Sequence, residues 1–195
     1  MGSRIGSAAI FCVISGVFLF ELAKGAVGND ALLLQLGALS DTSGIDHEYW
    51  RLIVAGFLHY DLTHLLLNIL LLLLLGPYVE RHGGIGPLLV IFLTASVASF
   101  LGINLKHQLW PSPGVSLGAS GGMFGLLGAA LVLAFRIREE SRRIRIRLIA
   151  VLVLGLTYSA LPGISMIGHI VGLILGAMVA IFLPARAAAL EESRK

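Results

Sequence analysis

Apolar residues fall in long runs along this chain. They do not alternate as in a half-buried strand or stripe as on a surface helix. Six runs stand out, at residues 5–22, 62–79, 85–105, 115–135, 148–161 and 163–183. A helix crossing a bilayer needs about 20 mostly apolar residues. Four of the runs come near that length, 62–79 is at the short end, and 148–161 falls below it. Arg145 and Arg147 flank the fifth run and can snorkel to lengthen it. The pattern predicts an all-α fold: a polytopic membrane bundle of six transmembrane helices, forming a single membrane domain over residues 1–195. The first run is longer than the about 7–15 apolar residues of a signal-peptide core, so it is expected to be a retained helix.

Composition points the same way. The 195 residues are 57% hydrophobic and only 13% charged, where a soluble domain carries about 25% charged residues. A water-soluble fold of this size could not hide so much apolar surface. The net charge of +3 does not imply nucleic acid, because the basic residues lie in short loops between runs and form no patch interleaved with aromatics. The single cysteine, Cys12, lies inside the first run. It can make no internal disulfide and supplies no metal-ligand set, so neither cofactor nor metal is expected.

Charge also sets the expected topology. With a cytoplasmic N-terminus and six spans, Arg4, Arg81, Arg136, Arg138, Arg142, Arg143, Arg145, Arg147, Arg186, Arg194 and Lys195 fall on the cytoplasmic side, and only Lys24, Arg51 and Lys106 fall outside. Such a bias is what the positive-inside rule requires, and it puts both termini in the cytoplasm of a cell-membrane protein. A fifth run that did not cross would move the basic C-terminus outside. The loop at 24–61 is long, and its apolar patches at 31–36 and 49–58 predict short amphipathic helices lying in the interface.

Polar residues inside apolar spans are costly and mark candidate sites. Three groups qualify. Gly118-Ala119-Ser120-Gly121-Gly122-Met123-Phe124-Gly125 opens the fourth run, Gly168-His169 with Gly172 and Gly176 opens the sixth, and His59, His64 and Asn68 lead into the second. Each alone has an ordinary alternative: a small-residue packing face with an incidental serine, a histidine bonded to a carbonyl, and polar capping at the interface. Together they share one layer. At about 1.5 Å per residue, Ser120, His169, His64 and Asn68 all fall about 5–10 Å below the outer surface. A hydroxyl nucleophile, a histidine base and side-chain donors for an oxyanion form the constellation of acyl transfer. With no Asp or Glu near His169 in sequence, the expected unit is a Ser120–His169 dyad, opening to the outer side. The oxyanion would be met by the Ser120 backbone N–H with His64 and Asn68.

The sequence resembles the rhomboid intramembrane serine proteases. The matches are Tyr49-Trp50-Arg51, His59 through His64 to Asn68, Val79-Glu80 followed by Gly84, Gly118-Ala119-Ser120-Gly121, and Gly168-His169 with Gly172. They occur in the family's order. The resemblance implies Ser120 as nucleophile, His169 as base, and His64 and Asn68 as oxyanion helpers, with His59, at a recurrent polar position, as a further candidate for that group. It implies Trp50 and Arg51 as a loop-stabilising pair, Glu80 as a structural residue, and Gly118, Gly121, Phe124 and Gly172 as support. Phe124 stands where relatives commonly have Tyr, and Gly168 where many have Ala. The implied partners are transmembrane protein substrates and membrane lipids. Two other functions compete: a catalytically inactive rhomboid-like chaperone or binding protein for membrane clients, and a small transporter. Retention of both Ser120 and His169 argues against the first. Absence of repeats and intramembrane charges argues against the second.

Overall fold

The computed structural model describes residues 4–111, 113–137 and 140–183. Arg138, Arg186, Arg194 and Lys195, which enter the charge balance, lie outside the described residues. Each apolar run contains one long helix: α1 (Ile5–Ala23), α4 (Leu62–Gly83), α5 (Ile85–Leu109), α6 (Ser120–Arg136), α7 (Arg142–Ser159) and α8 (Met166–Ile181). Between the first two lie the short helices α2 (Asp30–Leu36) and α3 (Arg51–Val54), the latter continued by a 3-10 turn at Ala55–Phe57. The protein is an all-α membrane bundle. By length and composition α1, α4 and α5 can each cross a membrane, while α6 and α8 are shorter and equally apolar.

Local chemistry sets where these helices begin. A helix leaves its first N–H groups without intrahelical partners, so an acceptor side chain just before it is favoured. Asp61 accepts from the His64 N–H at 2.7 Å, Ser141 from Ile144 at 3.3 Å, and Ser165 from Gly168 at 3.2 Å. Glu80 does the same work from a distance. Its carboxylate accepts from the Gly6 and Ser7 N–H groups, both at 2.9 Å, and from the Ser7 hydroxyl at 2.8 Å. A buried acid on α4 thus satisfies the start of α1.

Two helix starts depart furthest from the apolar runs. The fourth run begins at residue 115, but α6 begins at Ser120. Val115–Ser116 (β2) instead pairs antiparallel with Leu39–Ser40 (β1), Leu39 opposite Ser116 and Ser40 opposite Val115. Gly118 then takes φ +122°, a left-handed conformation that a helix would not tolerate. The fifth helix starts at Arg142, before the apolar run, because arginines at a helix end can keep their guanidinium groups at the surface.

The bundle has an apolar exterior and a partly polar interior. Leu66, Leu70, Leu73 and Leu74 of α4 are exposed, as are Val153 and Leu154 of α7, while His59, Asn68, Glu80, Ser99 and His169 are buried. Lipid is as apolar as leucine, so helix association rests on close packing rather than on hydrophobic burial. Glycines supply it. A Cβ at Gly176 would strike the Gly125 backbone, one at Gly172 the Gly121 carbonyl, and one at Gly128 the Leu173 carbonyl. α6 and α8 therefore meet backbone to backbone. Arg136, at the end of α6, donates to the Ala180, Ile181 and Leu183 carbonyls at 2.9–3.1 Å. Arg145 likewise donates to Ala134 and Ile137. The basic residues of α6 and α7 gather at one end of the bundle. Ser120, Ser159 and His169 lie at the helix termini of the other end.

Candidate active site

The glycine contacts bring the first turns of α6 and α8 together, and with them Ser120 and His169. His169 Nε2 lies 2.8 Å from Ser120 Oγ. The imidazole is 5% exposed and is held on one face by Phe124, whose ring stacks on it with centroids 4.2 Å apart and planes 4° from parallel. The hydroxyl lost when Tyr is replaced by Phe leaves this stacking intact. Ser120 opens α6, so its backbone N–H is one of those with no intrahelical partner, at the end of the helix that favours negative charge. A hydroxyl placed this way can pass its proton to Nε2, and an oxyanion formed beside it would meet that N–H.

His64 and Asn68 share one face of α4. The His64 ring lies so close to Gly118 that a Cβ there would collide with it. This places the imidazole beside the segment leading into Ser120. Asn68 is buried, and its Nδ2 donates to the His64 carbonyl at 2.9 Å. That bond uses one of the two amide hydrogens of Asn68. Gly118 fixes the approach by donating its N–H to the Ala55 carbonyl at 2.8 Å.

His59 stands behind this group. Its ring meets that of His64 edge to face at 5.2 Å, and its Nδ1 lies 3.1 Å from the Phe57 carbonyl. Burial, with His64 beside it, holds His59 far below the ordinary imidazole range, at about 3. It is therefore neutral at physiological pH, and Nδ1–H donates to the carbonyl. Its contacts support His64; none reaches Ser120. The His59 N–H donates to buried Glu21 at 2.9 Å, which ties the loop back onto α1.

The other candidates shape the scaffold. Arg51 stacks over Trp50 at 4.7 Å and donates to the Leu34 and Ala38 carbonyls at 2.6 and 2.9 Å. These bonds hold the loop between α2 and α3 together. Gly121 and Gly172 make the close α6–α8 contact described above. Among the described residues no group of three or more His, Cys, Asp or Glu side chains is arranged to hold a metal ion.

One residue escaped the sequence analysis. Ser159, the last residue of α7, is 2% exposed and its Oγ lies 2.6 Å from His169 Nδ1. The third member of such a unit is ordinarily a carboxylate, and a serine closing a weak span carries no signal of its own.

Comparison with known proteins adds a family. A family model described as "Rhomboid domain" matches residues 46–186. The chain is 37% identical over 175 residues to "Rhomboid protease GluP" of Bacillus subtilis, covering 86% of this chain and 32% of that protein. It is 37% identical over 152 residues to "RHOMBOID-like protein 5" of Arabidopsis thaliana, covering 74% and 47%. It is 34% identical over 130 residues to "Putative rhomboid protease YdcA" of Bacillus subtilis, covering 65% and 63%. The chain thus spans between about a third and two thirds of the length of these relatives.

Proposed function

The chain belongs to the rhomboid family, and on that premise we propose that it is an intramembrane serine endopeptidase, hydrolysing peptide bonds in or near the transmembrane segments of other membrane proteins. The observation that carries this reading is the 2.8 Å approach of His169 Nε2 to Ser120 Oγ. Such an approach joins a nucleophile to its base across two helices whose glycine packing leaves little freedom between them.

As Ser120 Oγ attacks the scissile carbonyl carbon, its proton passes to His169 Nε2. The carbonyl oxygen becomes an oxyanion, met by the Ser120 N–H with His64 and Asn68 as side-chain donors. The imidazolium then returns its proton to the leaving amine, the C–N bond breaks, and an acyl-enzyme remains on Ser120. Water, deprotonated by the same imidazole, hydrolyses the ester and restores the hydroxyl. No cofactor is needed.

The chain acts as one multi-pass membrane domain, with both termini cytoplasmic and the site open to the outer side. Lipids surround it, transmembrane proteins are its substrates, and nucleic acid has no part. The long loop at 24–61 and α7 are the parts that move aside to admit a substrate. Of α7's residues only Leu148 and Ser159 are buried, which supports a helix loosely held.

Labelling with a serine-reactive fluorophosphonate, beside cleavage of a transmembrane model substrate, tests the reading. Both signals are expected in the parent and neither in Ser120→Ala. An inactive binding protein of the same fold would give neither in the parent.

A further inference from the structure

Ser159 has a hydroxyl with one hydrogen and two lone pairs. Two groups lie within bonding distance of it. The Gly155 carbonyl, one turn back on α7, accepts the hydroxyl hydrogen at 2.6 Å, and His169 Nδ1 lies at 2.6 Å. A carbonyl cannot donate, so the single hydrogen goes to Gly155. The contact with His169 must then be made by a proton on Nδ1, pointing at a Ser159 lone pair. A neutral imidazole has one N–H, so Nε2 is left with its lone pair, and that lone pair faces Ser120 Oγ at 2.8 Å.

We propose that Ser159 is a positioning residue for the base: its Oγ accepts from His169 Nδ1 and fixes the tautomer in which Nε2 can take the Ser120 proton. The inference rests on the reading of Ser120 and His169 as nucleophile and base. The direction of donation runs Nδ1–H to Ser159 Oγ, then Ser159 O–H to the Gly155 carbonyl. No proton transfers along it. When His169 becomes an imidazolium, the Nδ1–H bond to Ser159 persists and gains strength, because the donor is then charged.

The neighbours leave Ser159 as the group that does this. Phe124 covers the ring face and can restrain its plane, but a phenyl ring offers no hydrogen-bonding handle to select a tautomer. His64 lies against Gly118, on the Ser120 side. Among the described residues, the hydroxyl at the end of α7 is the hydrogen-bond partner of Nδ1. This places the orienting group on a different helix from both reacting groups. The alignment of the base therefore depends on where the outer end of α7 sits, so an α7 that moves aside for substrate entry must bring Ser159 back to Nδ1 before the Ser120 proton is transferred.

The test uses the purified full chain and three variants. In Ser159→Ala the acceptor is gone. Ser159→Thr keeps it, and Ser159→Val matches Thr in shape without it. An enzyme that holds its base in the wrong tautomer loses up to about 10⁴ in turnover where a buried carboxylate does the orienting. A neutral hydroxyl does less, so Ser159→Ala and Ser159→Val are expected to lower kcat about 10–100-fold with KM little changed, and Ser159→Thr to recover most of it. Nitrogen-15 spectra of labelled histidine, with His169 assigned by a His169→Gln difference, give a readout that packing alone would not move. The parent is expected to carry its proton on Nδ1, and the Ala and Val variants to shift toward Nε2–H. The proposal is overturned if kcat stays within about twofold in Ser159→Ala, if Thr and Val behave alike, or if the tautomer does not change. Ser120→Ala separates the two claims. Cleavage surviving in that variant removes the nucleophile assignment, whereas cleavage lost there and kept in Ser159→Ala removes only the role of Ser159. The tautomer measurement needs no substrate and stands in either case.

Discussion

At the residue scale, the proposed reactivity of Ser120 rests on one contact, with His169 Nε2 at 2.8 Å. On that mechanism its hydroxyl is an ordinary serine until Nε2 accepts the proton, so neither residue acts without the other. Ser120→Ala and His169→Ala are each expected to abolish cleavage, and the double variant to be no worse than either. Losses in one catalytic unit do not multiply. Single-turnover assays on the three variants check this, and independent, multiplying losses would mean that His169 is only structural. The oxyanion donors are graded differently. The Ser120 N–H survives any side-chain change, so His64→Ala and Asn68→Ala are each expected to slow kcat by about 10–10³-fold, less than loss of the nucleophile. Full-rate cleavage by both variants would reduce His64 and Asn68 to the capping role that their position near the start of α4 also permits. His59, neutral and bonded through Nδ1 to Phe57, serves as a wall for His64.

At the scale of elements, two kinds of helix contact differ in stiffness. α6 and α8 meet through glycine backbones, so nothing soft lies between them. α7 meets the site where side chains intervene: the Ser159 hydroxyl on His169, and the Phe124 ring against the Gly155 backbone. A Cβ at Gly155 would lie 2.9 Å from Phe124 Cζ. Gly155→Leu is therefore expected to push α7 outward, disturb the ring stacked on His169, and lower kcat at least about tenfold while the protein remains folded. Cleavage rates compared at equal thermal stability in detergent check the effect. An unchanged rate would show that the outer end of α7 does not govern the alignment of the base. The β1–β2 pair acts in the opposite sense. It fastens the loop after α2 to the residues leading into Ser120, with the Ser116 hydroxyl donating to Asp41 at 2.6 Å beside it.

For the whole molecule, the proposed orientation and substrate choice start from the position of the site near one end of the bundle. The basic residues of α6 and α7 gather at the other end, which the positive-inside rule would turn to the cytoplasm. Cysteine-accessibility mapping is expected to find residue 140 inside and the loop at 24–61 outside; the reverse labelling would invert the topology. A substrate helix hides its peptide bonds in the i→i−4 ladder, so it must unwind locally before Ser120 can attack. Gly and Pro weaken a helix by about 1 and 3 kcal/mol relative to Ala. Substrates are thus expected to be weak in their outer halves and cut near that end. Replacing outer-half Gly or Pro by Leu in a model substrate, with insertion matched, is expected to slow cleavage. Equal rates would mean that unwinding does not limit this enzyme.

The long helices and the candidate chemistry are readable along the chain. Transfer of side chains to lipid is counted residue by residue, so apolar runs, their flanking arginines and the rare buried Ser120 and His169 are legible in one dimension. Caps are legible too, because Asp61, Ser141 and Ser165 act within three residues of themselves. The rotation of each helix about its axis, by contrast, is set by packing in three dimensions. In a bilayer the lipid-facing and core-facing positions are equally apolar: Phe92 is buried and Leu93 exposed, and nothing in their order distinguishes them. That loss of contrast is why Val115 reads as helix although it pairs with Ser40 from a distant loop. It is also why Ser159, an unremarked hydroxyl closing the weakest span, became visible only when the close contact of α6 with α8 had fixed where His169 points.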